Sequence, residues 1–216
     1  MLPLQLTEKR MTTLIIVRHG ESDANLHKYF AGQSDIPLTE LGYRQAEVAA
    51  EHLKDRHFDV AYSSTLSRAY DTALAIVKGR GLEITTDKGL CETNLGEWEG
   101  KDIDSVREDY NKWRSIYDYR PPHGESTIEV LERVGKTLDR IASENEGKTV
   151  LIASHGGCIR LLPAYYENDT ALIATTPIAS NVSLTTVVYE NGKGRVTVYA
   201  DGNYLGELAT FFDNGN

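Results

Sequence analysis

Two stretches constrain the fold of this chain more than any others. Leu14-Ile15-Ile16-Val17 runs directly into Arg18-His19-Gly20, and Val150-Leu151-Ile152-Ala153 runs into Ser154-His155-Gly156. An apolar run without alternation reads as a strand buried on both faces, as in a parallel sheet covered by helices. Open α/β sheets hold their ligands beyond the C-terminal ends of such strands. Each histidine is therefore expected at that edge, where Gly20 permits a sharp turn or a close approach to a ligand. Two strands of this kind, far apart in sequence, can bring two imidazoles to one sheet edge.

The rest of the chain fits that frame. Residues 21–35 are polar, include Gly32 and read as a loop. Thr39 is placed to cap a helix whose inner face takes Leu41, Ala46, Ala49 and Leu53. A strand is expected over 58–63. The next helix, capped by Ser64 or Ser67, carries Arg68 in its first turn and turns Ala69, Ala73, Ile76 and Val77 inward. A short strand over 82–86 leads to Leu90-Cys91-Glu92. Residues 94–124 hold both tryptophans, with glycine and proline at the ends. That irregular insertion suits a lid or substrate wall, or a surface subdomain with its own small core. Ser126-Thr127-Ile128-Glu129 is a capping box opening a helix with Leu131, Val134, Leu138 and Ile141 on one face. A helix from Cys158 is shortened or kinked by Pro163. A hairpin spans 182–189 and 195–199, and the segment after Asp201 reads as loose.

This order predicts an α/β fold: a three-layer αβα sandwich, mostly parallel, with antiparallel strands at the C-terminal end and an inserted lid. The 216 residues suffice for one such domain. It is assigned to 11–216, and residues 1–10 are read as a tail or a start-site ambiguity before Met11. The net charge of −9 argues against nucleic acid and anionic membranes as partners. No apolar run approaches the roughly 20 residues of a membrane span, and the first ten residues lack a signal peptide's apolar core. Cys91 and Cys158 have neither zinc nor disulfide-framework spacing and read as buried thiols. A cytoplasmic location follows as the expectation.

Arg18, His19, Arg68, Glu92 and His155 thus stand at strand ends or helix starts. Two arginines are what a phosphate needs, since each offers a planar fork of donors. The parts compose a metal-free phosphoryl transfer. Neutral His19 attacks phosphorus, Arg18, Arg68 and His155 hold the oxygens, and Glu92 protonates the leaving oxygen and then activates water. Two histidines and a carboxylate are also a non-haem iron ligand set, but the adjacent arginines argue against a cation there. No cofactor or metal is expected, and the partner is a small phosphorylated metabolite.

In these residues the chain resembles the histidine phosphatase superfamily, also called phosphoglycerate mutase-like, over roughly residues 12–200. The motifs are Arg18-His19-Gly20-Glu21-Ser22 with Asn25, Phe30-Ala31-Gly32-Gln33-Ser34-Asp35, Ser63-Ser64 with Arg68-Ala69, Glu92 before Leu95-Gly96-Glu97-Trp98-Glu99-Gly100, and Ser154-His155-Gly156-Gly157. The resemblance implies His19 as the phosphorylated nucleophile, Arg18, Arg68 and His155 as the phosphate pocket, and Glu92 as proton donor. Asn25, Gly32 and Gly156 fall where members contact substrate or phosphate, and Gln33 is taken with them. Mutases carry an adjacent arginine pair in the insertion, whereas Arg107, Arg114 and Arg120 here are not adjacent. The expected function is therefore hydrolysis of small phosphomonoesters through a phosphohistidine. The alternatives are mutase-type phosphoryl transfer and, more remotely, non-catalytic binding of a phospho-ligand.

Overall fold

A sheet of six strands in the order β3-β2-β4-β1-β5-β6 carries the molecule. The computed structural model describes residues 11–210, so the expectation for residues 1–10 lies outside the described residues. In chain order the elements are β1 (Thr12–Arg18), α1 (Asp23–His27), α2 (Glu40–His52), β2 (Val60–Ser63), α3 (Ser67–Val77), β3 (Ile84–Thr86), α4 (Arg107–Ser115), α5 (Thr127–Glu144), β4 (Thr149–Ser154), α6 (Gly156–Ile159), α7 (Leu162–Glu167), α8 (Leu172–Thr175), β5 (Leu184–Glu190) and β6 (Lys193–Asp201). The pairings β1–β4, β2–β4 and β2–β3 are parallel, while β1–β5 and β5–β6 are antiparallel.

The unbroken apolar runs have the cause expected of them. Leu14, Ile16, Val150 and Ile152 pack on one face with Val130, Val134, Leu138 and Ile141 of α5. Ile15, Val17, Leu151 and Ala153 pack on the other with Ala49 of α2 and Ala69, Ala73 and Ile76 of α3. Each buried valine, leucine or isoleucine among them contributes about 1.5–3 kcal/mol by leaving water. The register pairs Arg18 with Ser154, and the His19 N–H donates to the Ser154 carbonyl at 3.0 Å. Both His-Gly ends therefore leave the sheet side by side.

Local signals set most boundaries. Thr39 Oγ1 accepts from the Gly42 N–H, and Ser126 and Glu129 close the capping box over α5. Pro163 lies in the first turn of α7, where its missing N–H costs nothing, and the chain breaks between α6 and α7 just before it. Asn191 and Gly192, both at positive φ, form a two-residue hairpin turn between β5 and β6. The turn is tighter than the five residues expected.

Four expectations are corrected. The loop over 21–35 contains α1, started where the Ser22 N–H donates to Asn25 Oδ1 at 3.2 Å. Five residues are too few to show a helical period. The cap of α3 is Leu66, not Ser64 or Ser67, because the Ser64 side chain turns into the interior. Leu41 is only partly buried, and Gly42 and Gln45 take the inner face of α2 instead. The segment after Asp201 is not loose through residue 208: it makes 3-10 turns, buries Leu205 against the α2–α3 face, and stacks Tyr204 on His52 at 4.1 Å. Gly and Asn there shape turns around two apolar anchors.

The insertion 94–124 has its own small aromatic core. Leu95, Trp98 and Trp113 are buried together, with Phe30, Tyr110 and Tyr119 against them.

Candidate active site

The side chains of Arg18, His19, Arg68 and His155 are all buried at the C-terminal edge of β1 and β4. The two imidazole centroids lie 5.1 Å apart. His19 Nδ1 is 2.6 Å from the Gly20 carbonyl. A carbonyl only accepts, so Nδ1 carries the hydrogen and Nε2 keeps its lone pair. Burial, then Arg68 and Arg18, hold the His19 pKa well below the usual histidine value. His155 is lowered in the same way by burial, Arg68, His19 and Arg18. Its Nε2 lies 2.8 Å from Ser64 Oγ, and its buried Nδ1 has no partner among the described residues.

The guanidiniums are fixed by main-chain carbonyls. Arg18 Nη1 donates to Ala179 O at 2.5 Å. Burial lowers its pKa to about 10, with Glu92 acting against the shift. Arg68, 1 % exposed, donates from Nη1 to Ser34 O and from Nη2 to Gly32 O, at 2.9 and 2.8 Å. Gly32 sits at φ +51°, where a Cβ would fall 2.1 Å from Glu99 Oε1. Glu99 in turn accepts from the Gln33 N–H and the Ser34 hydroxyl. Residues 32–34 thus form a braced arch around Arg68. The Gln33 side chain ties that arch to the Glu92 carbonyl at 2.9 Å.

Glu92 Oε1 accepts from the Thr93 N–H at 2.8 Å and Oε2 from the Gly157 N–H at 3.0 Å. This carboxylate therefore stands over the start of α6, beside His155. A Cβ at Gly156 would come within 3.1 Å of Arg18 Cζ, so that glycine lets the second strand end approach the first. Asn25 Oδ1 accepts from Ser22 N and from Asn181 Nδ2, and Asn181 Nδ2 also donates to the His19 carbonyl. Asn25 thereby joins the loop to the pocket floor. Among the described residues no three His, Cys, Asp or Glu side chains stand close enough to share a metal ion.

The candidate site residues named from the sequence thus belong to one cluster. Gly20 makes a close approach to the backbone of α2: a Cβ on it would lie 2.4 Å from Gly42 O. Other members escaped the sequence reading. Ser64, read as a helix cap and as part of the Ser63-Ser64 motif but given no role in the site, hydrogen-bonds His155. Asn181 precedes the hairpin without any motif. Arg133 looks like a solvated helix residue, but it donates to Gly89 O, Cys91 O and Glu92 O and pairs with Glu125, clamping the Glu92 segment. The buried polar character of Ser64 and Asn181 is a property of packing, which no local pattern signals.

Neighbouring imidazoles, two buried guanidiniums and a carboxylate at a parallel sheet edge define a site of the phosphoryl-transfer class. Comparison with known proteins places the chain further. The profile of the histidine phosphatase superfamily (branch 1) matches residues 14–202, and the chain belongs to that family. A probable phosphoglycerate mutase of Yersinia pestis is 35% identical over 192 residues, covering 83% of this chain and 86% of its own. A mycobacterial glucosyl-3-phosphoglycerate phosphatase superposes with a TM-score of 0.81 at 30% identity, over 89% of this chain and 100% of its own. A phosphoserine phosphatase mutant of Entamoeba histolytica, in complex with phosphoserine, gives 0.81 at 29% identity over 90% and 99%. The relatives thus include both phosphatases and mutases. No helix among the described residues is long and apolar enough to cross a membrane.

Proposed function

We propose that the protein is a phosphatase that hydrolyses small phosphomonoesters through a phosphohistidine on His19, without a metal or cofactor. One observation carries the reading: the unprotonated Nε2 of His19, held neutral by burial and two arginines, lies beside a second imidazole. The Nε2 lone pair forms the N–P bond as the P–O bond to the leaving group breaks. Arg18, Arg68 and His155 bind the phosphoryl oxygens while charge moves onto them. His155 Nε2 hydrogen-bonds the Ser64 hydroxyl, which leaves Nδ1 for a phosphoryl oxygen. Glu92, entering protonated, gives its proton to the leaving oxygen. Its carboxylate then takes a proton from water, whose oxygen attacks phosphorus, the N–P bond breaks, and inorganic phosphate leaves. Asn25, Gly32, Gln33 and Gly156 shape the pocket around the bound phosphate.

Residues 11–216 act as one catalytic domain in this reading, with 94–124 as its substrate wall. The buried, unbridged Cys91 and Cys158 suit a reducing cytoplasmic setting. Burial keeps Cys158 a thiol by raising its pKa. The 35%-identical relative favours a second reading, mutase-type transfer of the phosphoryl group to another phosphoglycerate. The unpaired spacing of Arg107, Arg114 and Arg120 favours water as the acceptor. His19→Ala is expected to lower phosphomonoester turnover by about a thousandfold or more, and acid quench of the wild type should trap acid-labile phosphate on His19. Near wild-type turnover in the variant overturns the mechanism. Interconversion of phosphoglycerates faster than phosphate release selects the mutase.

A further inference from the structure

Arg133 lies outside the phosphate pocket, yet every N–H of its guanidinium is engaged. Nε and Nη2 grip the two carboxylate oxygens of Glu125 at 2.7 and 2.9 Å. The other hydrogens go to main-chain carbonyls: Nη1 donates to Gly89 O and Cys91 O at 3.0 and 2.9 Å, and Nη2 to Glu92 O at 3.3 Å. A guanidinium is a rigid planar fork of donors, so these contacts fix one arrangement of the groups around it. Its neighbours Val130 and Val134 are buried in the core, so α5 gives the fork a packed base.

The carbonyls it takes belong to the stretch that carries Glu92. The chain there makes a 3-10 turn over Lys88–Leu90 and then runs without helix or strand to residue 95. No ladder pairs its carbonyls, so side chains must supply the donors. Glu92 O also accepts from Gln33 Nε2. The backbone from which the Glu92 side chain pivots is thus held by two residues, while its carboxylate rests on the Thr93 and Gly157 N–H groups. Glu125 ties the insertion to the same clamp. Its Oε2 accepts from the Asn94 N–H at 2.8 Å, its own N–H donates to Asn94 O at 2.8 Å, and its carbonyl accepts from Trp113 Nε1 at 3.1 Å. Both ends of the insertion therefore meet at the carboxylate that Arg133 grips.

We propose that Arg133, locked to Glu125, is a positioning residue for the proton donor. It holds the Glu92 carboxyl at the leaving oxygen and links that placement to the seating of the insertion. The inference rests on the phosphatase reading, in which Glu92 protonates the leaving group. Charge alone does not suffice for this task, because a lysine ammonium lacks the planar fork that spans a carboxylate and three carbonyls.

Leaving-group dependence separates positioning from general stabilisation. Cleavage of glycerol 3-phosphate expels an alkoxide that needs the proton, whereas p-nitrophenyl phosphate expels a phenolate that is stable without it. In Arg133→Met the ratio of kcat/KM for the first ester to that for the second should fall by about tenfold or more, the scale of a misplaced catalytic group. Arg133→Lys should restore little of it, and Glu125→Gln, which keeps the shape of the side chain, should show a smaller fall. In a Glu92→Gln background, where the acid is gone, Arg133→Met should leave the ratio as it is. An unchanged ratio in folded Arg133→Met, or the full further fall in the Glu92→Gln background, overturns the proposal. Amide hydrogen exchange gives a readout without turnover. The Gly157 N–H, bound to Glu92 Oε2, should exchange about tenfold or more faster in Arg133→Lys, while the Ile159 N–H, bound to His155 O in the same helix, keeps its rate. Unchanged exchange at Gly157 likewise overturns the proposal. Wild-type protein that hydrolyses neither ester while Gly157 responds refutes the phosphatase reading and leaves the positioning of Glu92 standing.

Discussion

His19 and His155 are buried beside two arginines, and that environment has consequences for pH. Both pKa values lie well below the usual 6.5. His19, the proposed nucleophile, therefore stays neutral into acid solution, and the acid limb of kcat/KM that belongs to it is expected below pH 6.5. The same shift governs stability. Between the lowered folded value and the unfolded 6.5, the unfolded chain binds more protons than the folded one. Stability is then full above 6.5 and falls as pH drops through it, by up to about 1.4 kcal/mol per pH unit for each histidine. Urea unfolding at pH 7.5, 6.5 and 5.5 should show that loss, with a shallower slope in His155→Asn. An unfolding midpoint constant over this range would show that the imidazoles are not held neutral.

At the scale of elements, the site depends on how α2 meets the loop after β1. Gly20 and Gly42 allow backbone to touch backbone: a Cβ on Gly42 would fall 2.0 Å from Glu21 O. Three side chains reinforce the contact. Thr39 Oγ1 donates to Glu21 Oε1, Gln45 Oε1 accepts from Glu21 N, and Thr72 Oγ1 accepts from Gly20 N. Glu21 is thus an anchor of the loop that presents His19. Gly42→Ala must push α2 off that loop, and is expected to lower stability by about 1–3 kcal/mol and turnover with it. Denaturant melts alongside phosphomonoester assays check this; an unchanged midpoint would mean that the contact yields without cost. Thr39 and Ser126 were legible in the sequence because a cap is decided within four residues. The helix α1 was not, because five residues are too few to show a period, and the inward turn of Ser64, which shifts the cap of α3 to Leu66, was not, because its partner His155 is distant in the chain.

In the whole molecule, the covered sheet ties its far ends together. The 3-10 turns after β6 return to α2, where Gln45 Nε2 donates to Leu208 O and Leu205 joins the α2–α3 core. Leu205→Ala is expected to cost about 2–5 kcal/mol, the range for emptying a buried leucine site. Thermal or urea unfolding measures it, and a loss below about 0.5 kcal/mol, the range of ordinary surface substitutions, would return this segment to the periphery. The antiparallel hairpin at the sheet edge also places Asn181, just ahead of β5, under the His19 carbonyl. The floor of the site is thus built from both ends of the described chain.

The sequence by itself determined the sheet, its covered faces and the His-Gly edge, because apolar runs, caps and turns act over a few residues. It also named Arg18, His19, Arg68, Glu92 and His155, since strand ends and helix starts are local events. Only the tertiary structure decided what each side chain touches. The Ser64 contact of His155 and the Arg133 clamp arise from residues tens of positions apart, and even the His19 tautomer, set by its neighbour Gly20, shows only in the folded backbone. Packing brings them together, and the burial it imposes sets their charge and their chemistry.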